Sequence, residues 1–281
     1  MTICKSLLLA GLVSIFASAA GAQDAPTLEG KPLPQYATPK GGLIAEIKAR
    51  GKVVNGVEAA TPPYEFIKDG QIVGFDIDLS RMFAKSLGVE LEVIDTQWSG
   101  VVPSLYSKMF DMIWSAMPIT PVREKAVTFS QPYTTDQPIF LIRPDDTSIK
   151  SVDDFKGKRL GSQLNSSVAE QSQILSDEKK LGMDIKLYDA IATAYLDLAN
   201  GNLDIVTTSR DAYTELDKTA PGKFKAVYQL PPNLFMAVAT RKQDVDFSNA
   251  VAAFIDKIKA NGELDALSVK WFGYKKELPA K

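Results

Sequence analysis

The sequence predicts an α/β protein built as two similar lobes. From Lys52 onward, short runs rich in β-branched and aromatic residues alternate with segments of helical period, as strands followed by helices do. The alternation occurs twice, once up to Ser115 and again after Pro138. The two series share a local echo: Leu105 stands as far before Asp111-Met112-Ile113 as Leu198 stands before Asp204-Ile205-Val206. In each, a helix ends and a buried strand begins, which favours two lobes over one continuous sheet.

The first element is an address. Ser6 to Ala20 is an apolar run too short to span a bilayer, and it ends at Ala20-Gly21-Ala22, a small-x-small cleavage site. Residues 1–22 are therefore expected to be a signal peptide that carries Cys4 away, leaving a secreted, periplasmic chain without cysteine. Residues 23–39 hold four prolines and no apolar period and read as a flexible lead-in.

Val53, Val54 and Val57 predict a strand. Tyr64–Ile67 and Gln71–Phe75, around Lys68-Asp69-Gly70, predict a hairpin. Asp76 to Leu87 has helical spacing, with Gly88 as its stop, and Val89–Ile94 alternates as a strand. A helix over Ser99–Lys108 and a buried strand over Met112–Ser115 complete the first series. The second has strands at Ile139–Ile142, Arg159–Leu164, Ile185–Tyr188 and Asp204–Thr208, with helices at Val152–Phe155, Ser166–Lys179 and Ala192–Ala199 between them. Two strand-like runs follow, Phe224–Leu230 and Leu234–Thr240. Phe247, Val251, Phe254, Ile255 and Ile258 then mark an amphipathic helix, and Leu264, Leu267, Trp271 and Phe272 a last one.

Composition narrows the chemistry. At 281 residues, 45% hydrophobic, the chain has material for two cores, and 32 basic against 34 acidic residues leave no basic field for nucleic acid. The absence of histidine removes His-based triads and His-ligated zinc. No cofactor or metal is expected, since neither a phosphate-binding glycine motif nor a calcium-loop spacing of acids is present.

Five segments then point to a family. They are Gly74-Phe75-Asp76-Ile77-Asp78-Leu79 with the helix after it, Trp98 to Leu105, Asp111 to Arg123, Phe129 to Tyr133, and Gly262 to Gly273 closing on Lys270-Trp271-Phe272-Gly273. In this order and spacing, over residues 50–273, the chain resembles the periplasmic solute-binding proteins of polar amino acid ABC transporters, extracellular family 3. It departs at Phe83, where a smaller aliphatic residue is usual.

The resemblance implies a two-lobed, type II periplasmic binding protein-like fold with two hinge crossings. Lobe 1 would be residues 40–136 plus 232–281, and lobe 2 residues 137–231. It implies a monomeric, non-catalytic protein that captures a small carboxylate-containing solute, an amino acid or derivative, and delivers it to a membrane permease with its ATPase.

Carried over residue by residue, the resemblance makes Arg123 the carboxylate-binding arginine, whose parallel donors suit both oxygens. Trp98 becomes an aromatic wall, and Ser115, Ala116 and Met117 a strand end facing the ligand. Glu58 is either a reader of a distal cationic group or a solvated loop carboxylate. Asn165-Ser166-Ser167 opens a helix, with Asn165 suited to a left-handed turn and Ser167 to an N-cap that also donates to carboxylate. Three positions depart from the pattern. Thr61 replaces an aromatic platform, Pro118 a hydroxyl residue, and Ser209 the aspartate that accepts the α-ammonium. Asp211 would serve in its place only if the turn is rearranged. Two rivals share the fold: a cyclohexadienyl dehydratase-like enzyme using Glu58 or Asp211 as a buried acid, and a docking or sensing module that does not close on a solute.

Overall fold

The computed structural model describes residues 27–28, 31–33 and 40–278. The signal-peptide segment and most of the lead-in lie outside the described residues. Within the lead-in, β1 (Thr27–Leu28) pairs antiparallel with β2 (Lys31–Pro32). Leu28 and Leu33 join an apolar cluster with Val101, Leu105 and Val127, so the described part of this segment is packed on lobe 1 where a flexible lead-in is expected. Burial of two leucines offsets its proline-rich composition.

Lobe 1 opens with α1 (Leu43–Arg50), which buries Leu43 and Ile47 one turn apart and stops at Gly51. β3 (Lys52–Val57) is buried after its first residue. β4 (Ala60–Thr61), β5 (Glu65–Lys68) and β6 (Gln71–Val73) form a small antiparallel sheet. Between the last two, Asp69 and Gly70 have φ of 52° and 73°, the left-handed pair that a two-residue Asp-Gly turn requires. α2 (Phe75–Leu87), β7 (Glu90–Asp95), a 3-10 turn at Trp98–Gly100, α3 (Val101–Tyr106), β8 (Met112–Ile113), α4 (Pro121–Ala126) and β9 (Val127–Phe129) follow.

β10 (Thr134–Asp136) carries the chain across to lobe 2. There it forms β11 (Pro138–Ile142), a 3-10 turn at Val152–Phe155, β12 (Arg159–Gln163), α5 (Ser167–Glu178), β13 (Asp184–Tyr188), α6 (Ile191–Ala199), β14 (Ile205–Ser209), α7 (Arg210–Thr219) and β15 (Lys225–Gln229). β16 (Leu234–Met236) returns, pairing antiparallel with β10. β17 (Ala239–Arg241), α8 (Val245–Ala260) and α9 (Glu263–Phe272) then complete lobe 1.

Both large sheets have one plan. In order β7-β3-β8-β17-β9 and β13-β12-β14-β11-β15, three parallel strands are followed by two antiparallel pairings, so that β17 and β11 alone run against the other four strands of their sheets. β8 and β14 hold the same central place, so the echo between Asp111-Met112-Ile113 and Asp204-Ile205-Val206 marks equivalent strands. Phe83 also finds its reason: it is buried with ring centroids 5.4 Å from Phe254 and 5.7 Å from Phe247, filling a lobe 1 core of aromatics.

Several elements differ from the sequence reading. The run Leu234–Thr240 divides into β16 and β17, because Leu234–Met236 pairs with the hinge strand and Ala239–Arg241 with lobe 1. The helix expected over Ser99–Lys108 is a 3-10 turn followed by the short α3, and the strand expected to Ser115 ends at Ile113.

Candidate functional site

Ligand groups are best met where parallel strands end and helices begin, since backbone donors there lack partners. Glu58 follows β3, Ser115 follows β8, Gln163 ends β12 and Ser209 ends β14, and all four line a cavity of about 460 Å³ between the lobes. Thr61, Trp98, Ala116, Pro118, Ser166 and Ser167 line it too, with Phe66, Tyr195, Leu234 and Met236 as apolar wall.

Polar contacts bridge the cavity rim. The Gln163 amide of lobe 2 donates to both Glu58 carboxylate oxygens at 2.8 Å. The Asn165 carbonyl accepts from Trp98 Nε1 at 3.1 Å and from Arg123 Nη2 at 2.9 Å. Asn165 holds φ 59°, the left-handed turn expected of it, and this aims its carbonyl at lobe 1. At the cavity floor the Ser115 hydroxyl donates to Glu65 Oε1 at 3.0 Å and accepts from the Glu58 N–H at 3.2 Å. Burial raises the Glu58 carboxyl above its ordinary range, opposed by the Gln163 hydrogen bond, so this is not a solvated loop acid.

A second cavity of about 350 Å³ lies beyond Trp98, Ser166 and Ser167, which line both. Arg123, Met117 and Asn165 line only this smaller one. The Arg123 guanidinium sits 5.2 Å from the Trp98 ring centroid and donates to the Pro118 carbonyl at 2.8 Å. Met117 is fully buried in the core beside it.

Two placements differ from expectation. The N-cap of α5 is Ser166, whose hydroxyl accepts from the Ala169 N–H at 3.2 Å, while Ser167 is the first helical residue, buried at the cavity wall. Asp211 lines neither cavity. Ser209 caps α7 by accepting from the Ala212 N–H at 3.3 Å, and that regular helix start turns Asp211 to the hinge side. There it accepts from the Tyr64 hydroxyl at 2.6 Å and pairs with Lys276.

The sequence reading does not reach Glu65, Gln163, Tyr195 or Glu215, which also line the main cavity. Gln163 carried a signal, since it ends a parallel strand. Glu65 sits in a hairpin and meets Ser115 only through tertiary packing. Acids and hydroxyls thus face the main cavity, and among its described lining residues there is no lysine or arginine. Positive charge comes from Arg123 beside the α5 N-terminus.

A two-lobed α/β protein with acids and hydroxyls at the strand ends of a largely apolar cleft is the architecture of a solute-binding protein. Residues 53–274 match the bacterial extracellular solute-binding proteins, family 3, and the chain belongs to that family. The L-cystine-binding protein TcyJ of Escherichia coli (strain K12) is 33% identical over 83% of this chain and 86% of its own length. The ABC transporter arginine-binding protein 1 of the same organism is 32% identical over 80% of this chain and 92% of its own length. Among solved structures, an ancestral arginine-binding protein bound to arginine gives a TM-score of 0.74 at 31% identity, covering 80% of this chain and 99% of that one. The ancestral amino acid-binding protein AncCDT-1, a precursor of cyclohexadienyl dehydratase, gives 0.73 at 33% identity, covering 82% of this chain and 99% of that one.

Proposed function

We propose that this chain is the periplasmic substrate-binding component of an ABC importer, and that its cleft closes on an amino acid or amino-acid derivative. The observation that carries this reading is the placement of acids and hydroxyls at the strand ends of a largely apolar cleft. Glu58, Glu65 and Ser115 face the cavity from lobe 1, and the α5 N-terminus with Ser166 and Ser167 faces it from lobe 2, backed by Arg123. A zwitterion fits that pattern: its carboxylate lies where the two cavities meet, with Trp98 as the wall between. The names of the relatives, which bind cystine and arginine, agree.

In this reading residues 1–22 direct export and are removed, and the monomer hands its solute to a permease driven by its ATPase. Closure is driven by contacts that only the closed form makes with the ligand. Calorimetry of ligand-stripped protein against the common amino acids and L-cystine tests it. One ligand per chain is expected, with affinity reduced about tenfold or more by Arg123→Ala, roughly 1.4 kcal/mol or above. Silence across the whole panel, or an unchanged affinity in Arg123→Ala, would refute it.

The likeness to AncCDT-1 and the acid in the cleft, Glu65, favour a second reading as a dehydratase. Binding of a cyclic acid such as prephenate without product supports the first reading, and turnover the second. Compaction on ligand addition in small-angle scattering separates both from a docking module.

A further inference from the structure

Two carboxyl groups that the contacts at the cavity rim leave unused lie together beneath the cavity floor. Glu65 on β5 is 1% exposed and Asp76 on the first turn of α2 is 0% exposed. Glu65 Oε1 accepts from the Ser115 hydroxyl, and Asp76 Oδ2 accepts from the Ala116 N–H at 2.5 Å and the Tyr133 hydroxyl at 2.6 Å. The other two oxygens, Glu65 Oε2 and Asp76 Oδ1, receive no N–H or O–H donor, although the two side chains interact directly. A buried acceptor left unpaired costs free energy, and two buried carboxylates repel each other. One proton between those oxygens removes both penalties.

Burial favours a retained proton on both acids, and neighbouring carboxylates favour it on Glu65. Glu58 opposes ionisation of Glu65, while the Tyr133 hydroxyl, the Ala116 N–H and Lys276 favour ionisation of Asp76. Burial holds the Glu65 carboxyl well above its usual range and lifts Asp76 to about 7. Meanwhile the ammonium of an amino acid in this cleft lacks its expected acceptor. Ser209 stands where the resemblance expects an aspartate, and Asp211 is bound to Tyr64 and Lys276 on the hinge side.

We propose that Glu65 and Asp76 share one proton at neutral pH, and that a ligand's cationic group, seated at Ser115, takes that proton's place. In this exchange the ammonium enters, the shared proton leaves to solvent, and both carboxyls become charged opposite the ligand cation. The cleft therefore selects solutes carrying an ammonium or guanidinium group over carboxylic acids lacking one. This inference rests on the reading of the cleft as an amino-acid site.

Calorimetry of the full protein in phosphate and in imidazole buffer, whose ionisation heats differ, reads the proton directly. With L-arginine, L-cystine and the remaining common amino acids as probes, the tightest binder at pH 7 should release about one proton or more per molecule bound. That release should be lost or sharply reduced at pH 7 in Glu65→Gln and Asp76→Asn. Both variants keep the side-chain shape and supply an N–H for the bare oxygen, and unchanged circular dichroism would show that they fold. Binding without proton release in the wild type, or undiminished release in Glu65→Gln, overturns the exchange while leaving the amino-acid reading intact. Absence of binding by every probe overturns that reading and the exchange together.

Discussion

Asn165 joins the lobes through its backbone. Its carbonyl accepts from Trp98 and Arg123 of lobe 1 only because the residue holds φ 59°, a conformation that glycine adopts freely, asparagine tolerates and a β-branched residue resists. Asn165→Gly should keep ligand affinity within a few-fold. Asn165→Val should weaken it about tenfold or more, since strain of roughly 1–3 kcal/mol at such a position opposes the turn. Equal affinities of the two variants in calorimetry would show that the turn does not matter. At this scale the motif order pointed to Trp98, Ser115, Asn165 and Arg123. It did not place Arg123 beyond Trp98 on the smaller cavity, or Glu65 against Ser115, because both depend on how separate segments pack.

The junction of β6 and α2 shows how an element is positioned for the site. Gly74 has φ 145°, and a Cβ there would overlap the Tyr64 carbonyl, which accepts from the Asp76 N–H at 3.0 Å. That close approach sets the start of α2 beside β5 and brings Asp76 to Glu65. Gly74→Ala should therefore abolish folding or lower the melting temperature by many degrees, read by circular dichroism; an unchanged melting curve would contradict this packing account. The hairpin and α2 were legible because an Asp-Gly turn and a glycine stop punctuate them. α1 and α4 carried signals too, Leu43 with Ile47 before Gly51 and Thr120 before Pro121, but they are short and the sequence reading passes over them. The break between β16 and β17 had no local signal, since it is made by partners distant in sequence.

Across the whole molecule, two sheets of one plan meet at a hinge made by β10 and β16, and acids are buried on both sides of that hinge. Asp76 and Asp136 are each lifted to about 7, mainly by burial, against an ordinary value near 4 in an unfolded chain. The folded protein thus holds protons between about pH 4 and pH 7 that the unfolded chain releases. Their contribution to stability is complete below pH 4 and is lost as pH rises through 7. Urea unfolding of ligand-free protein should show stability declining over that window, with a shallower decline in Asp136→Asn. A rise in stability from pH 4.5 to 7.5 would contradict this. The two-lobe plan was legible because the strand and helix alternation repeats, whereas strand order and the direction of the last two strands in each sheet arise from tertiary pairing.

A crystal structure grown with the tightest-binding amino acid shows whether the gap between the lobes is an amino-acid site. One ligand is expected in the main cavity, its carboxylate at Ser166 and Ser167 on the Arg123 side and its cationic group at Ser115 above Glu65. Electron density for the ligand elsewhere on the protein, or in the cleft with the carboxylate on Glu65 and the cation toward Arg123, would contradict it.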